Sequence, residues 1–185
     1  MSLLSQPRTE LLIAYLAAAA VGTHLLEAAL PGLGPWFKPG LANTFTLVAF
    51  FQMGWRAAAG VALIRVLVGA MALGTLFSPT FFLSLFGATG AVLALGLACG
   101  WRTEKTAVAL PGDGLGPVGV SILASLAHIV CQVLAAWLFI IGHSGIFLAL
   151  PWFLLGSWLT GIVNGLLAFL ILERLTHSHF LAGQR

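Results

Sequence analysis

The segment PGLGPWFKPGLAN, residues 31–43, decides how the chain divides, because it interrupts an otherwise almost continuous series of apolar runs. It contains three prolines and three glycines within thirteen residues. Proline cannot continue a helix, and glycine permits left-handed or closely packed backbone. The segment therefore predicts an irregular connection between a first helix that ends near residue 30 and a second helix that begins near residue 41.

The composition is that of a membrane protein. Of 185 residues, 60% are hydrophobic and 7% are charged, and the mean hydropathy is +1.06. A soluble domain carries about 25% charged residues, so this chain has too few to cover a surface that faces water. The net charge of +3 comes from scattered basic residues, so we expect a lipid bilayer around the chain and no nucleic-acid partner.

Apolar runs separated by Gly, Pro and charged residues predict an all-α, polytopic membrane protein with six transmembrane helices in one domain, residues 1–185. A span needs about 20 apolar residues, and the second run is short, so we expect it to tilt or to use depth from the preceding segment. The first run continues for a full span without a convincing cleavage site, which predicts no removable signal peptide. The predicted spans are about residues 10–30, 41–54, 57–77, 80–101, 117–141 and 146–173.

The distribution of basic residues predicts the orientation. With the amino terminus inside, the cytoplasmic segments hold six lysines and arginines, and the outer loops hold only Lys38. Membrane proteins are enriched in positive charge on the cytoplasmic side, so both termini are predicted to be cytoplasmic in a multi-pass protein of the cell inner membrane. The six cytoplasmic basic residues are Arg8, Arg56, Arg102, Lys105, Arg174 and Arg185.

Seven polar or ionisable side chains lie in or beside the predicted spans, where such groups are costly and face the bundle interior or a cavity. We expect this set to line a cavity open to the outer side and to bind a small anionic or polar-aromatic molecule. Depth along the spans places Glu27, Lys38 and Asn43 in the outer third and the others nearer the middle. The complete set is Glu27, Lys38, Asn43, Arg65, His128, Gln132 and Asn164.

Arg65 is the most informative of these residues, because its guanidinium stays charged and needs an anionic or carbonyl partner. Glu27 is the predicted acidic partner within the membrane, and straight helices leave the two residues about 10 Å apart in depth. Arg65 therefore either binds an anion or caps helix carbonyls and holds the bundle together. His128 and Gln132, four residues apart on one helix face, either join the site or hydrogen-bond between helices.

Small residues form a second surface on the first helix. In AYLAAAAVG, residues 14–22, the residues Ala14, Ala18 and Gly22 recur at four-residue spacing on one face. Such a face lets another helix approach closely. That helix belongs either to the same chain or to a partner protein that docks on it.

No cofactor, metal site or catalytic residue is predicted. Cys99 and Cys131 have no CxxC spacing and lie in predicted helices, as buried apolar thiols do. The tetrapeptide GHSG, residues 142–145, is a weak match to a serine-protease motif, and His128 lies about four turns away from it. The sequence contains no Walker motif, so any ATP-driven role requires a separate ATPase.

Four segments resemble the Gx transporter family, also labelled heptaprenyl diphosphate synthase component I. They are PWFKPGLANTFTLVAF (35–50), LIRVLVGA (63–70), AHIVCQ (127–132) and GIVNGLLA (161–168). The likeness runs through nearly the whole chain, and K-x-G-L-A-N at residues 38–43 is its most specific element. That family is similar to the substrate-binding S components of energy-coupling-factor transporters. Those six-helix proteins bind a small molecule from outside and dock a transmembrane coupling subunit that is driven by ATPases.

The resemblance also implies roles for individual residues and one alternative function. The synthase label implies, as the alternative, a non-catalytic membrane accessory subunit of a prenyl diphosphate synthase. Catalysis by the chain itself is not expected, because diphosphate chemistry needs clustered aspartates around Mg²⁺ and the chain has one aspartate, Asp113. The family pattern has Asn after its histidine, where this chain has Ile129. The resemblance assigns docking to Ala14 and Ala18, and substrate binding to Lys38, Gly40, Leu41, Ala42, Asn43, Arg65, His128, Gln132 and Asn164.

The distribution of basic residues makes a prediction about sidedness. After Cys99 and Cys131 are replaced by Ala, the single changes Ser5→Cys and Ser144→Cys should react from opposite sides of the membrane. An impermeant maleimide should label the Ser144→Cys protein in intact cells and the Ser5→Cys protein only after the cells are opened. Labelling of Ser5→Cys in intact cells would reverse the orientation and move the predicted cavity to the cytoplasmic side.

Overall fold

The computed structural model describes residues 6–29, 40–100 and 115–182, and every regular element within these ranges is helical. Six α-helices occupy them, which confirms the predicted all-α class. Helix α5 continues into a π-helical turn, Trp137–Ile141, and a short 3-10 helix, Ser144–Leu148, precedes α6. The α-helices are α1 Gln6–Ala29, α2 Ala42–Met53, α3 Trp55–Ala72, α4 Pro79–Gly100, α5 Pro117–Ala136 and α6 Leu150–Ala182.

Five of the six described helices are long and apolar enough to cross a membrane, and α2 is the exception. Its 12 residues extend over about 18 Å, whereas the hydrocarbon core of a bilayer is about 30 Å thick. The sequence predicted a short second span, residues 41–54. The described helix, Ala42–Met53, is shorter by one residue at each end. Gly40, at φ 65°, takes the left-handed conformation just before α2, where a residue with a Cβ would be strained.

Helix α2 is nevertheless the centre of the bundle. Its side chains Leu47, Val48 and Phe51 pack in one buried cluster with Leu95 of α4 and Leu172 of α6. Eight of its twelve residues are buried, so it is apolar on every side, as a helix enclosed by other helices must be. The long helices therefore surround the short one, and polar groups at its amino end are inside the protein.

Helices α5 and α6 pack closely because glycines replace side chains between them. A Cβ atom added at Gly165 would lie 2.6 Å from the Cα atom of Val118, and one at Gly161 would lie 2.9 Å from the Cα atom of Ile122. The Ser157 hydroxyl donates to the Ser125 carbonyl oxygen at 2.6 Å across the same interface. Small residues at such contacts are typical of helix pairs in membranes, where close backbone approach supplies the attraction.

The small-residue face of α1 is not used for packing within the described part of the chain. Ala14, Ala18 and Gly22 are exposed, and nothing lies within 4 Å of a Cβ atom added at Gly22. The neighbouring face of α1 makes the internal contact instead, because Ala17 and Ala20 are buried against α2 and α3. The interpretation of Ala14, Ala18 and Gly22 as an internal packing surface is therefore wrong for the described chain.

Several helix boundaries differ from the predicted spans. Helix α1 begins at Gln6, four residues earlier than predicted, and α3 ends at Ala72, five residues before the predicted limit at 77. Helix α6 continues to Ala182, nine residues beyond the predicted limit at 173, because hydropathy marks only the apolar part of a helix that extends past it with polar residues. The predicted fifth span reaches residue 141, as the structure does, but its last five residues form the π-helical turn. All five side chains of that turn are exposed and apolar, as expected for a surface that faces lipid.

The contact between α5 and α6 makes a prediction about stability. Gly165→Ala should lower the free energy of unfolding in detergent by about 1–3 kcal/mol, because the added methyl group collides with the Val118 backbone. Gly60→Ala is the matched control, since Gly60 lies inside α3 with nothing within 4 Å of an added Cβ. That change should leave stability unaltered or raise it by up to about 1 kcal/mol through helix propensity. Equal effects of the two changes in a chemical unfolding assay would contradict the described interface.

Candidate functional site

Polar side chains from α1 and α6 meet at the start of α2. Glu27 of α1 accepts a hydrogen bond from the backbone N–H of Leu41 through Oε1, at 2.5 Å. Asn164 of α6 donates from Nδ2 to the Gly40 carbonyl oxygen at 3.1 Å, and its Oδ1 accepts from the Thr44 hydroxyl at 3.2 Å. Glu27 and Asn164 are buried, with 9% and 1% of their surfaces exposed. These bonds satisfy backbone and side-chain groups that would otherwise be unpaired inside the bundle.

The start of α2 lies deep in the bundle. Helices α2 and α3 are separated by Gly54 alone, and Asn43 and Arg65 each lie eleven residues from it, about 16 Å along their own helices. The two residues are therefore at the same level. Asn164, which bonds to Gly40 at this end of α2, is itself near the middle of α6, so α6 also indicates that α2 begins deep in the bundle. The predicted position of Asn43 in the outer third is thus corrected to the level of the deeper residues.

Arg65 is buried at this level, with 7% of its surface exposed. Its Nε atom is buried and has no hydrogen-bond partner among the described residues. The Glu27 carboxylate supplies the attractive charge that acts on the guanidinium. Arg65 therefore has an acidic group of α1 within electrostatic range, while its Nε–H has no partner among the described residues.

His128 lies on the other side of this region, on α5. Its imidazole packs on Gly87 of α4, where an added Cβ atom would lie 2.5 Å from Nε2. The Nδ1 atom is buried and has no partner within the described ranges, and the positive charge of Arg65 acts on the ring. Gln132 follows one turn later and is half-buried, without a hydrogen bond to any described residue.

A small cavity lies between α2, α4 and α5, beside the polar residues. Asn43 is part of its wall, so the cavity and the predicted site share a residue. Two lining residues, Ser121 and Ser125, were not among the predicted site residues. A signal for them was present, because Ser121, Ser125, His128 and Gln132 recur at spacings of four, three and four and so share one face of α5. The cavity is lined by Asn43, Thr46, Leu47, Ala91, Leu95, Ser121, Ala124 and Ser125.

The structure thus brings three of the predicted site residues, Glu27, Asn43 and Asn164, to the start of α2. Glu27 and Asn164 hold the backbone there, Asn43 lies in the first turn, and Arg65 and His128 lie within electrostatic range of each other. Gln132 is on the same face of α5 as His128 but is not joined to the others. Lys38 falls outside the described residues.

The GHSG tetrapeptide has a local structural explanation. His143 Nδ1 accepts a hydrogen bond from the Gly145 N–H at 2.9 Å and caps the short 3-10 helix that precedes α6. Gly142 takes the left-handed conformation that ends the π-helical turn. A search of the described residues finds no group of three or more His, Cys, Asp or Glu side chains that could hold a metal ion.

Comparison with known proteins identifies the family. No curated protein and no solved structure matches the chain. A family model described as heptaprenyl diphosphate synthase component I matches residues 16–171. The matched range contains Glu27, Asn43 and Asn164, which meet at the start of α2, and also Arg65 and His128. The chain therefore belongs to the heptaprenyl diphosphate synthase component I family.

Proposed function

We propose that the chain is a membrane transport protein that binds a small anionic or polar-aromatic molecule from the outer side, like the S component of an energy-coupling-factor transporter. The observation that carries the proposal is the buried Arg65 guanidinium, whose Nε atom lacks a partner among the described residues. An ionised side chain within a membrane protein is expensive, and such residues are usually part of a ligand or ion pathway.

The contacts divide the polar residues into two groups with different tasks. Glu27 and Asn164 are engaged by the backbone of residues 40 and 41, so their task is to hold the start of α2 in place. Arg65 and His128 each have a nitrogen without a partner among the described residues, and Asn43 is half-buried at the cavity wall. A guanidinium offers a planar pair of donors that suits a carboxylate or phosphate, and an imidazole adds a flat ring for stacking or a further hydrogen bond. An anionic ligand would pair with the guanidinium, and a polar-aromatic ligand would stack on or hydrogen-bond to the imidazole.

The short α2 supports access from the outer side. A helix of this length leaves about 12 Å of a 30 Å bilayer unspanned above its amino end. Residues 30–39, which precede this end of α2, lie outside the described residues, and irregular backbone is tolerated within a membrane only beside protein or water. In the predicted orientation this region opens outward. We therefore propose that residues 31–39, with Lys38 among them, form a wall or lid over the ligand, with Gln132 nearer the outer end.

The exposed face of α1 supports a partner that lies in the membrane. Ala14, Ala18 and Gly22 form a shallow surface of small residues, which another helix can approach closely. Since the sequence contains no Walker motif, ATP-driven transport requires a separate ATPase. We propose that this face docks a transmembrane coupling subunit with its ATPases, in the inner membrane.

The description of the family favours a second candidate, a non-catalytic membrane accessory subunit of a prenyl diphosphate synthase. Such a subunit would use the same exposed face of α1, or the cytoplasmic end of the bundle, to hold a catalytic partner. The two candidates differ in what copurifies with the chain from its own membranes. ATPase subunits support transport, and a soluble prenyl synthase supports the accessory role.

The role of Arg65 makes a prediction about ligand binding. Native mass spectrometry of the gently purified protein should show a copurified small molecule, and Arg65→Gln should abolish its retention. Arg65→Lys keeps the charge but loses the planar pair of donors, so binding should weaken by about 1–3 kcal/mol while the fold survives. Arg56→Gln is the matched control, because Arg56 lies on the same helix and is exposed.

The competing structural role of Arg65 has a different outcome. If Arg65 serves only to pair with Glu27, then Glu27→Gln and Arg65→Gln should lower the melting temperature alike. Full ligand retention by a well-folded Arg65→Gln protein would remove Arg65 from the site.

The docking face makes a separate prediction. Ala18→Leu should leave the melting temperature and ligand retention unchanged, because the residue is exposed, but should abolish copurification of the ATPase subunits from native membranes. Ala72→Leu is the control, since Ala72 is exposed on α3, away from this face. Loss of ATPase copurification in both variants, or in neither, would contradict a specific docking role for α1.

A further inference from the structure

Two buried hydroxyl groups face the cavity between α2, α4 and α5. Thr46 and Ser121 line it, with 5% and 1% of their surfaces exposed. Neither the Thr46 Oγ1 atom nor the Ser121 Oγ atom has a hydrogen-bond partner among the described residues. Buried hydroxyls in native proteins are almost always hydrogen-bonded, because an unpaired one loses its contacts with water and gains nothing in return.

Two polar groups close to these hydroxyls in the sequence are bonded elsewhere. The Thr44 hydroxyl, two residues before Thr46, donates to Asn164. The carbonyl oxygen of Ser125, one turn after Ser121, accepts from the Ser157 hydroxyl. The Thr46 and Ser121 hydroxyls are thus left in the wall of the cavity without a partner among the described residues.

We propose that this cavity binds one water molecule, which hydrogen-bonds to both Thr46 and Ser121. The cavity has room for the centre of a water molecule over about 20 Å³, and a site of about 10–15 Å³ holds one water. A buried water typically needs two to four polar partners, and the two hydroxyls, with Asn43 also in the wall, provide that number. Hydroxyls both donate and accept, so they match a water in either orientation.

A water fits this cavity better than a metal cation does. Hard cations take about six or more oxygen ligands, commonly with carboxylates among them. The side chains that line the cavity include no Asp or Glu, and the space holds a single water-sized occupant. The chemistry of the wall is therefore that of a neutral hydrogen-bonding site.

The proposed water joins α2 to α5. Thr46 lies three residues after Asn43, so both residues are on the same side of α2, and the water would hold this side against α5. Glu27 and Asn164 secure the start of α2 from α1 and α6, and the water supplies the corresponding link on the third side. This inference goes beyond the transport proposal and does not depend on it.

Conservative variants of the purified protein test the proposal by thermal unfolding in detergent. Thr46→Val and Ser121→Ala should each lower the melting temperature by about 2–4 °C, as expected for one lost buried hydrogen bond in a chain of this size. The double variant should be little worse than the more affected single variant, because both changes remove contacts to the same water. Thr89→Val is the control, since the Thr89 hydroxyl is exposed and bonds to a carbonyl of its own helix.

Three results would overturn the proposal. A higher melting temperature in Thr46→Val or Ser121→Ala would show that the hydroxyls are unpaired and the cavity is empty. Additive losses in the double variant would show two separate bonds and no shared water. The third result is a sodium effect. If replacing choline chloride by sodium chloride at equal ionic strength raises the melting temperature of the unaltered protein, and Thr46→Val removes that rise, the cavity holds a sodium ion instead.

Discussion

A helix that begins inside an apolar bundle must have its first backbone groups hydrogen-bonded by other parts of the chain, and the structure depends on how α2 meets this requirement. Water can satisfy the amino end of a helix at a surface, but hydrocarbon and packed apolar side chains cannot. Here the Glu27 carboxylate accepts from Leu41, and the Asn164 amide donates to Gly40. These two long-range bonds, from opposite ends of the sequence, permit a 12-residue helix to occupy the centre of the bundle.

The short central helix also explains why the charged residues lie where they do. Because α2 begins at the level of Arg65, the guanidinium lies at the level of the polar end of this helix. Glu27 then has two tasks, since the same carboxylate holds Leu41 and acts electrostatically on Arg65. A membership of the heptaprenyl diphosphate synthase component I family is compatible with either a transport role or an accessory role. The transport proposal rests on the buried Arg65, whose Nε atom has no partner among the described residues.

The features that sequence reasoning predicted well are those that depend on local chemistry. Long apolar runs have to be helices in a bilayer, since no other open structure satisfies the backbone there, so the positions of all six helices were predictable. Rare polar residues in such runs must face inward, which is why Glu27, Arg65, His128 and Asn164 could be selected. Ser121 and Ser125 were missed because serine is common and unremarkable in an apolar helix. Their meaning appears only with the spacing to His128 and with the cavity that they line.

The sequence by itself determined the class of protein, the helices, the break at residues 31–43, and the polar residues that have to be buried. Each of these follows from side-chain chemistry and helical periodicity within a few turns of the chain. The tertiary structure alone decided the depth at which α2 begins, the exposure of Ala14, Ala18 and Gly22, and the meeting of two unpaired hydroxyls in one cavity. These depend on contacts between residues as far apart as Gly40 and Asn164. Hydropathy and spacing along one segment carry no information about which distant segment packs against it, so such contacts are visible only once the helices are assembled.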